Sequence, residues 1–347
     1  VQLRLDSLAA GGEAVARAPD GRVVFVDGGV PGDLVEVELS ETKARFARGR
    51  VVAVLEASAA RVRAPCPVAD RCGGCPWQIV AEHAQRGAKA DIVARALSRL
   101  PVRVDALVAA PEMLGYRVRA SLHANRGEIG FLARRSHELV AHDHCIALVP
   151  ALDAALAYAR GYEDGALARA LGQEGALRGT ITPSGAVQLA FSAGRGADEA
   201  RLASLAEAFV GRAGIVGVLD GRSTFGEALL DAGAPGSSHW VSAAGFRQAN
   251  HAQNDRLRAL VADALAARGE AVLELYAGDG NFTRDLVGHA ARVVAVEEDA
   301  AALSRLRKSL PSVTAVRGRA EDEAARLART GDRFTRVLLD PPRTGAK

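Results

Sequence analysis

The chain has 347 residues, of which 49% are hydrophobic and 24% charged, and a formal net charge of +3. That is enough chain for two or three domains with separate cores, in the ordinary balance of a soluble globular protein. No run of 18 apolar residues could cross a bilayer, and the N-terminus lacks the basic start and apolar stretch of a signal peptide; a cytoplasmic monomer with no membrane partner is the expectation.

Residues 1–57 alternate apolar and polar positions in short runs. Leu34-Val35-Glu36-Val37-Glu38-Leu39 and Gly49-Arg50-Val51-Val52-Ala53-Val54-Leu55 are the clearest, and Gly11-Gly12, Asp20-Gly21, Gly28-Gly29 and Pro31-Gly32 punctuate them as turns. This pattern predicts a small antiparallel β-barrel of the oligonucleotide-binding kind. A net charge of +3 is too small to establish a nucleic-acid partner, so its distribution matters more. Lys43, Arg45, Arg48, Arg50, Arg61 and Arg63 are opposed by Glu56, and Arg117, Arg119, Arg126, Arg134 and Arg135 by Glu128. Either run could grip phosphates, or form a solvated face.

Residues 58–240 read as a central α+β domain that carries all four cysteines of the chain. Cys66, Cys72 and Cys75 are close in sequence and Cys145 stands alone. Gly73, Gly74 and the prolines at 65, 67 and 76 supply the bends needed to wrap a backbone around one centre. Four thiolates complete the ligand set of a [4Fe-4S] cluster; a four-thiolate zinc site and unligated buried thiols are the alternatives. A reducing compartment favours ligation over disulfides. Helical periodicity follows from Ile79 to Leu100, and Ala-rich helices are expected at Ala151 to Arg160 and Asp198 to Gly211.

Residues 241–347 read as a Rossmann-like domain, β-α-β in pattern, after a helix from Asn254 to Ala267. The strand Ala271 to Tyr276 runs into Ala277-Gly278-Asp279-Gly280-Asn281, a glycine turn that lets the backbone approach a ligand before a helix begins. Thr283 occupies the place of the third glycine of a dinucleotide fingerprint, which weighs against NAD. The next strand, Arg292 to Val296, ends at Glu297, where a carboxylate can accept hydrogen bonds from both ribose hydroxyls; this combination suits S-adenosylmethionine. A last strand, Arg336 to Leu339, delivers Asp340-Pro341-Pro342-Arg343 to the carboxyl edge of the sheet, where ligands bind in such folds.

In this order, the barrel, the cysteine spacing, Phe246-Arg247-Gln248-Ala249-Asn250, the turn from Tyr276 to Asn281 and Asp340-Pro341-Pro342-Arg343 resemble the RNA uracil-C5 methyltransferases. Within that family the chain is most similar to the 23S rRNA enzymes with a TRAM barrel and an iron-sulfur cluster. The resemblance implies an S-adenosylmethionine-dependent enzyme acting on uridine C5 in RNA. It implies that Gln248, Tyr276, Gly278, Asn281, Glu297 and Asp340 bind the cofactor, that Phe246 stacks near a flipped uracil, and that Cys66, Cys72, Cys75 and Cys145 hold the cluster. Arg319 stands where the family places Asn or Asp. The family's nucleophilic cysteine and glutamate base lie downstream of Asp-Pro-Pro-Arg, so a chain ending at Lys347 is expected to be cut short within an incomplete methyltransferase domain and inactive. An RNA-binding protein without catalysis, or a methyltransferase acting on an exocyclic nitrogen, are the alternatives.

Overall fold

The structure is a computed structural model that describes residues 1–105, 107–234 and 236–346. The chain forms two compact units, residues 1–113 with 130–142, and residues 114–129 with 143–347. Among the described residues no helix is long and apolar enough to cross a membrane.

The first unit contains β1 (Gln2–Arg4), β2 (Ser7–Leu8), β3 (Ala14–Arg17), β4 (Val23–Asp27), β5 (Leu34–Thr42) and β6 (Phe46–Glu56), hydrogen-bonded in the order β1-β5-β6-β4-β3-β2. Period-two alternation turns Leu3, Val24, Val26, Val35 and Val37 into one core with Leu5 and Leu8, while Glu36 and Glu38 face solvent. The barrel is not all antiparallel, because β4 and β6 run parallel. The turn at residues 28–33 sends β5 to pair with β1 instead of β4, and β6, returning along β5, comes to lie against β4.

The exit from the barrel is held by charge. The fully buried carboxylate of Asp33 accepts the N–H groups of Val30 and Ser58, both at 2.8 Å, and the Arg61 guanidinium at 2.7 Å. Val62 N–H then donates to the Ile79 carbonyl, so the cysteine segment is a closed loop, with the Trp77 indole N–H donating to Gly12 at 3.1 Å. α1 (Glu82–Ala96) follows, laying Ala84 and Ala88 against the barrel core. The chain forms β7 (Arg119–Asn125) in the second unit and returns through β8 (Glu128–Leu132) to pair with β9 (Leu139–Val140). Gly73 N–H donates to the Leu132 carbonyl, and Arg134 donates to Asp27 at 2.5 Å and to the Ala69 carbonyl at 2.9 Å.

The second unit begins with a helix-backed sheet. α2 (Pro150–Gly161), α3 (Ala166–Leu171), β10 (Gly175–Ile181), β11 (Val187–Ser192), α4 (Glu199–Phe209), β12 (Ile215–Leu219) and β13 (Thr224–Gly226) follow β7, with strands ordered β13-β12-β11-β10-β7. Leu152 and Leu156 of α2, Leu167 of α3 and Leu202, Leu205 and Phe209 of α4 are buried. Pro150 opens α2, and Asp198 caps α4 by accepting Arg201 N–H at 2.9 Å. A hairpin of β14 (Leu230–Asp231) and β15 (Trp240–Val241) leads to the last layer.

That layer comprises α5 (His251–Leu265), β16 (Ala271–Leu275), α6 (Thr283–Leu286), β17 (Arg292–Glu297), α7 (Ala300–Ser309), β18 (Thr314–Arg317), α8 (Ala320–Arg329) and β19 (Arg336–Leu339). All pairs are parallel, in the order β18-β17-β16-β19. Strand order reverses at β16, which opens a crevice at the carboxyl ends of β16 and its neighbours. The helix after the glycine turn is a single turn, shorter than its sequence suggests, because Val287 is extended and Gly288 has φ +85°.

Candidate active site

A cavity of about 990 Å³ lies over that crevice. β16 ends at Leu275, and the chain then turns with positive φ at Tyr276, Gly278 and Gly280. At Gly280 (φ +92°) an added Cβ would come within 3.3 Å of both Leu306 and Leu310, so neither backbone nor space admits a side chain. Gly278 has no neighbouring atom within 4 Å of that position, which leaves bare backbone facing the cavity. Gly280→Ala is expected to lower stability by about 1–3 kcal/mol and to weaken cofactor binding with it. Denaturant titration checks this, and a variant as stable as the parent would show that the turn tolerates a side chain.

Glu297, at the end of β17, holds this turn. Its Oε2 accepts Gly278 N–H at 2.8 Å and its Oε1 accepts Asp299 N–H at 2.8 Å. Each oxygen keeps a lone pair for a ligand while two backbone donors fix the carboxylate in place. Tyr276 donates its hydroxyl to Glu321 of α8 at 2.9 Å, and that carboxylate acceptor raises the phenol pKa. Asn281 and Asn254 exchange amide hydrogen bonds at 2.8 and 2.9 Å, joining the turn to α5.

Residues 246–250 form the opposite rim. The Ala249 carbonyl accepts Val118 N–H at 2.9 Å, and Asn250 caps α5 by accepting Gln253 N–H at 3.0 Å. Gln248 therefore faces the cavity without serving as the cap. Phe246 is 70% exposed, with the Arg119 guanidinium 5.6 Å from its ring centre. β19 brings Asp340, Pro341, Pro342 and Arg343 to the same opening. The structure thus gathers Phe246, Gln248, Tyr276, Gly278, Asn281, Glu297 and Asp340 around one cavity.

Sequence reasoning missed several lining residues. Asn254 and Glu321 sit on helix faces that carry no motif. Asp279, inside the glycine turn, is buried 3.7 Å from His239 and 3.9 Å from Arg305. Burial pushes its carboxyl up to about 6 against the pull of Arg305. Burial, aided by Arg284 and Arg247, pushes His239 down to about 3, so the imidazole is neutral at pH 7. Arg284 is lowered to about 10, chiefly by burial.

The basic runs need correction as phosphate grips. Arg48 and Arg135 both engage the buried Glu13, Arg61 is committed to Asp33, and Arg134 to Asp27. Arg50 pairs with Glu38 and Lys43 with Glu41 on the surface, whereas Arg45 and Arg63 have no ion-pair partner among the described residues. These arginines follow the barrel's acids, so much of the apparent positive run is internal ion pairing.

The cysteine expectation also changes. Cys66, Cys72 and Cys75 belong to the first unit, are unpaired and half-buried, and Cys72 Sγ accepts Gly74 N–H at 3.4 Å. Burial, and then neighbouring Cys75 and Cys66, push the Cys72 thiol up. Cys145 belongs to the second unit, where its N–H donates to Asp153 at 2.7 Å. The donor chemistry suits a soft metal centre, but among the described residues no group of three or more His, Cys, Asp or Glu side chains is disposed to hold a metal ion. An assembled four-thiolate centre is not what the structure displays.

Residues 3–52 match the TRAM domain family. The chain is 32% identical to an uncharacterized RNA methyltransferase of Thermosynechococcus vestitus, over 99% of this chain and 83% of that protein. It is 35% identical to the 23S rRNA (uracil(1939)-C(5))-methyltransferase RlmD of Halomonas elongata, over 100% of this chain and 77% of that protein. Among solved structures, the Pyrococcus abyssi tRNA (uracil-54, C5)-methyltransferase in complex with S-adenosyl-L-homocysteine superposes with a TM-score of 0.73, covering 99% of this chain and 84% of that one. At 19% identity that likeness shows the fold. A parallel α/β layer with a cavity at its carboxyl edge, preceded by a TRAM domain, defines an S-adenosylmethionine-dependent RNA methyltransferase. The chain belongs to the RNA uracil-C5 methyltransferase family, with RlmD enzymes among its relatives. The alignments run the length of the chain and do not support the expectation that it is cut short.

Proposed function

We propose that the protein transfers the methyl group of S-adenosylmethionine to C5 of a uridine in RNA, with 23S rRNA as substrate and the cytoplasm as its place of action. The observation that carries this reading is the convergence of Gln248, Tyr276, Gly278, Asn281, Glu297 and Asp340 on one cavity with Phe246 at its mouth. When bound, the cofactor supplies a methyl group activated on a sulfonium. Glu297 accepts the ribose hydroxyls, and Tyr276, tied to Glu321, flanks the adenine. Gln248, Asn281 and Asp340 supply further polar contacts, and Phe246 offers its exposed face for stacking on an extruded base.

Uracil C5 becomes nucleophilic only after a thiolate adds to C6. No cysteine lines the cavity among the described residues. That observation favours a second reading, methylation of an exocyclic nitrogen held beside Asp340-Pro341-Pro342-Arg343, which needs no thiolate. Incubation with methyl-labelled cofactor and 23S rRNA fragments, followed by nucleoside analysis, separates the two. Label in 5-methyluridine supports the first, label on a base amine supports the second, and cofactor binding without transfer would leave a non-catalytic RNA-binding protein.

The reading extends to the four cysteines as ligands of a [4Fe-4S] cluster. Its support is that they are the whole thiol content of the chain and that the Cys66 and Cys75 thiols lie near enough to Cys72 to raise its pKa. Protein purified without oxygen should carry about four irons and four sulfides per chain. Stoichiometric zinc without iron would overturn this. RNA binding should fall steeply with salt, and Arg45→Ala with Arg63→Ala should weaken it several-fold without loosening the barrel. Unchanged affinity in a filter-binding titration would take this surface out of the RNA interface.

A further inference from the structure

The floor of the cavity carries charge that the reading above leaves unused. Arg247, Arg284 and Arg305 line it together with Asp279 and His239. His239, Arg305 and Asp279 are only 4%, 7% and 8% exposed. His239 Nδ1, Arg284 Nε, Arg305 Nε and Asp279 Oδ2 are buried without a hydrogen-bond partner among the described residues. Buried polar atoms are paired almost everywhere in folded proteins, so four orphans around one turn mark a place where a ligand completes the set.

The charges say what kind of ligand. Three guanidinium groups face one carboxylate, and buried His239 is neutral at pH 7. The neighbouring Arg258 adds nothing to the excess, because Asp285 and Asp255 neutralise it. Burying uncompensated positive charge is costly, which calls for an anionic group. The one-turn α6 contributes little dipole of its own, so side chains must do what a long helix would do elsewhere.

We infer that this floor holds the amino-acid end of S-adenosylmethionine, with Arg247 and Arg284 on its carboxylate and Asp279 on its ammonium. The inference rests on the cavity taking this cofactor with the ribose on Glu297. Glu297 holds the N–H of Gly278, the residue next to Asp279, so a ribose placed there sets the short tail beside the floor. A phosphate of the RNA backbone is the competing anion. It fits less well, since the orphaned atoms are nearly closed to solvent while the aromatic rim at Phe246 is open.

Calorimetric titration with S-adenosylhomocysteine and with 5′-methylthioadenosine, which keeps the nucleoside and lacks the amino acid, tests this. Arg247→Met and Arg284→Met are expected to weaken S-adenosylhomocysteine about 10- to 100-fold and to leave methylthioadenosine within about twofold. Arg247→Lys and Arg284→Lys keep the charge and guard against a folding defect. They should lose about threefold, again for S-adenosylhomocysteine alone. Equal losses for both ligands, no loss for either, or a loss confined to RNA affinity would overturn the inference. Failure of both ligands to bind the unaltered protein would instead overturn the reading of the cavity itself.

Discussion

Replacing Glu297 with alanine is expected to weaken S-adenosylhomocysteine binding by about 100-fold or more. Two charge-assisted hydrogen bonds to the ribose would be lost, each worth about 1.5–3 kcal/mol. The same change frees the N–H groups of Gly278 and Asp299, so the turn that shapes the cavity loses its anchor. Glu297→Gln, which can still accept from one backbone donor, should fall between the two. Calorimetry measures both, and a loss below about threefold for alanine would mean that the ribose does not rest on this carboxylate.

The second large effect concerns stability. Asp33→Ala should cost about 3–5 kcal/mol, the usual penalty for breaking a buried ion pair and stranding its partner. Arg61 would lose its carboxylate, and the N–H groups of Val30 and Ser58 their acceptor. Because the cavity is built within the second unit, affinity for S-adenosylhomocysteine should stay unchanged in conditions where the variant is folded. A loss of less than about 1 kcal/mol in denaturant titration would show that the clamp is not what holds the barrel's exit.

The sequence makes some of this legible because its signals are local. Alternation over residues 34–39 yields Val35 and Val37 as core, and the run from Ala271 into Gly278 and Gly280 yields a strand and a turn of positive φ. Glu297 can be picked out because its role depends on its distance from that turn along a β-α-β unit. The parallel pairing of β4 with β6 is not legible, since it depends on which partner β5 takes across the sheet. Nor is the pairing of Arg48 and Arg135 with Glu13, which joins residues far apart in the chain and turns a seemingly open basic run into internal ion pairs. The same holds for the cavity floor. His239, Arg247, Asp279, Arg284 and Arg305 come from five separate points in the chain, and only folding brings them together.

A crystal structure of the protein with S-adenosylhomocysteine tests the central claim most directly. The account predicts the ligand in the cavity at the carboxyl edge of β16 and β17, its two ribose hydroxyls within hydrogen-bond distance of the Glu297 carboxylate. A ligand seated elsewhere, or in the cavity with its ribose away from Glu297, would contradict it.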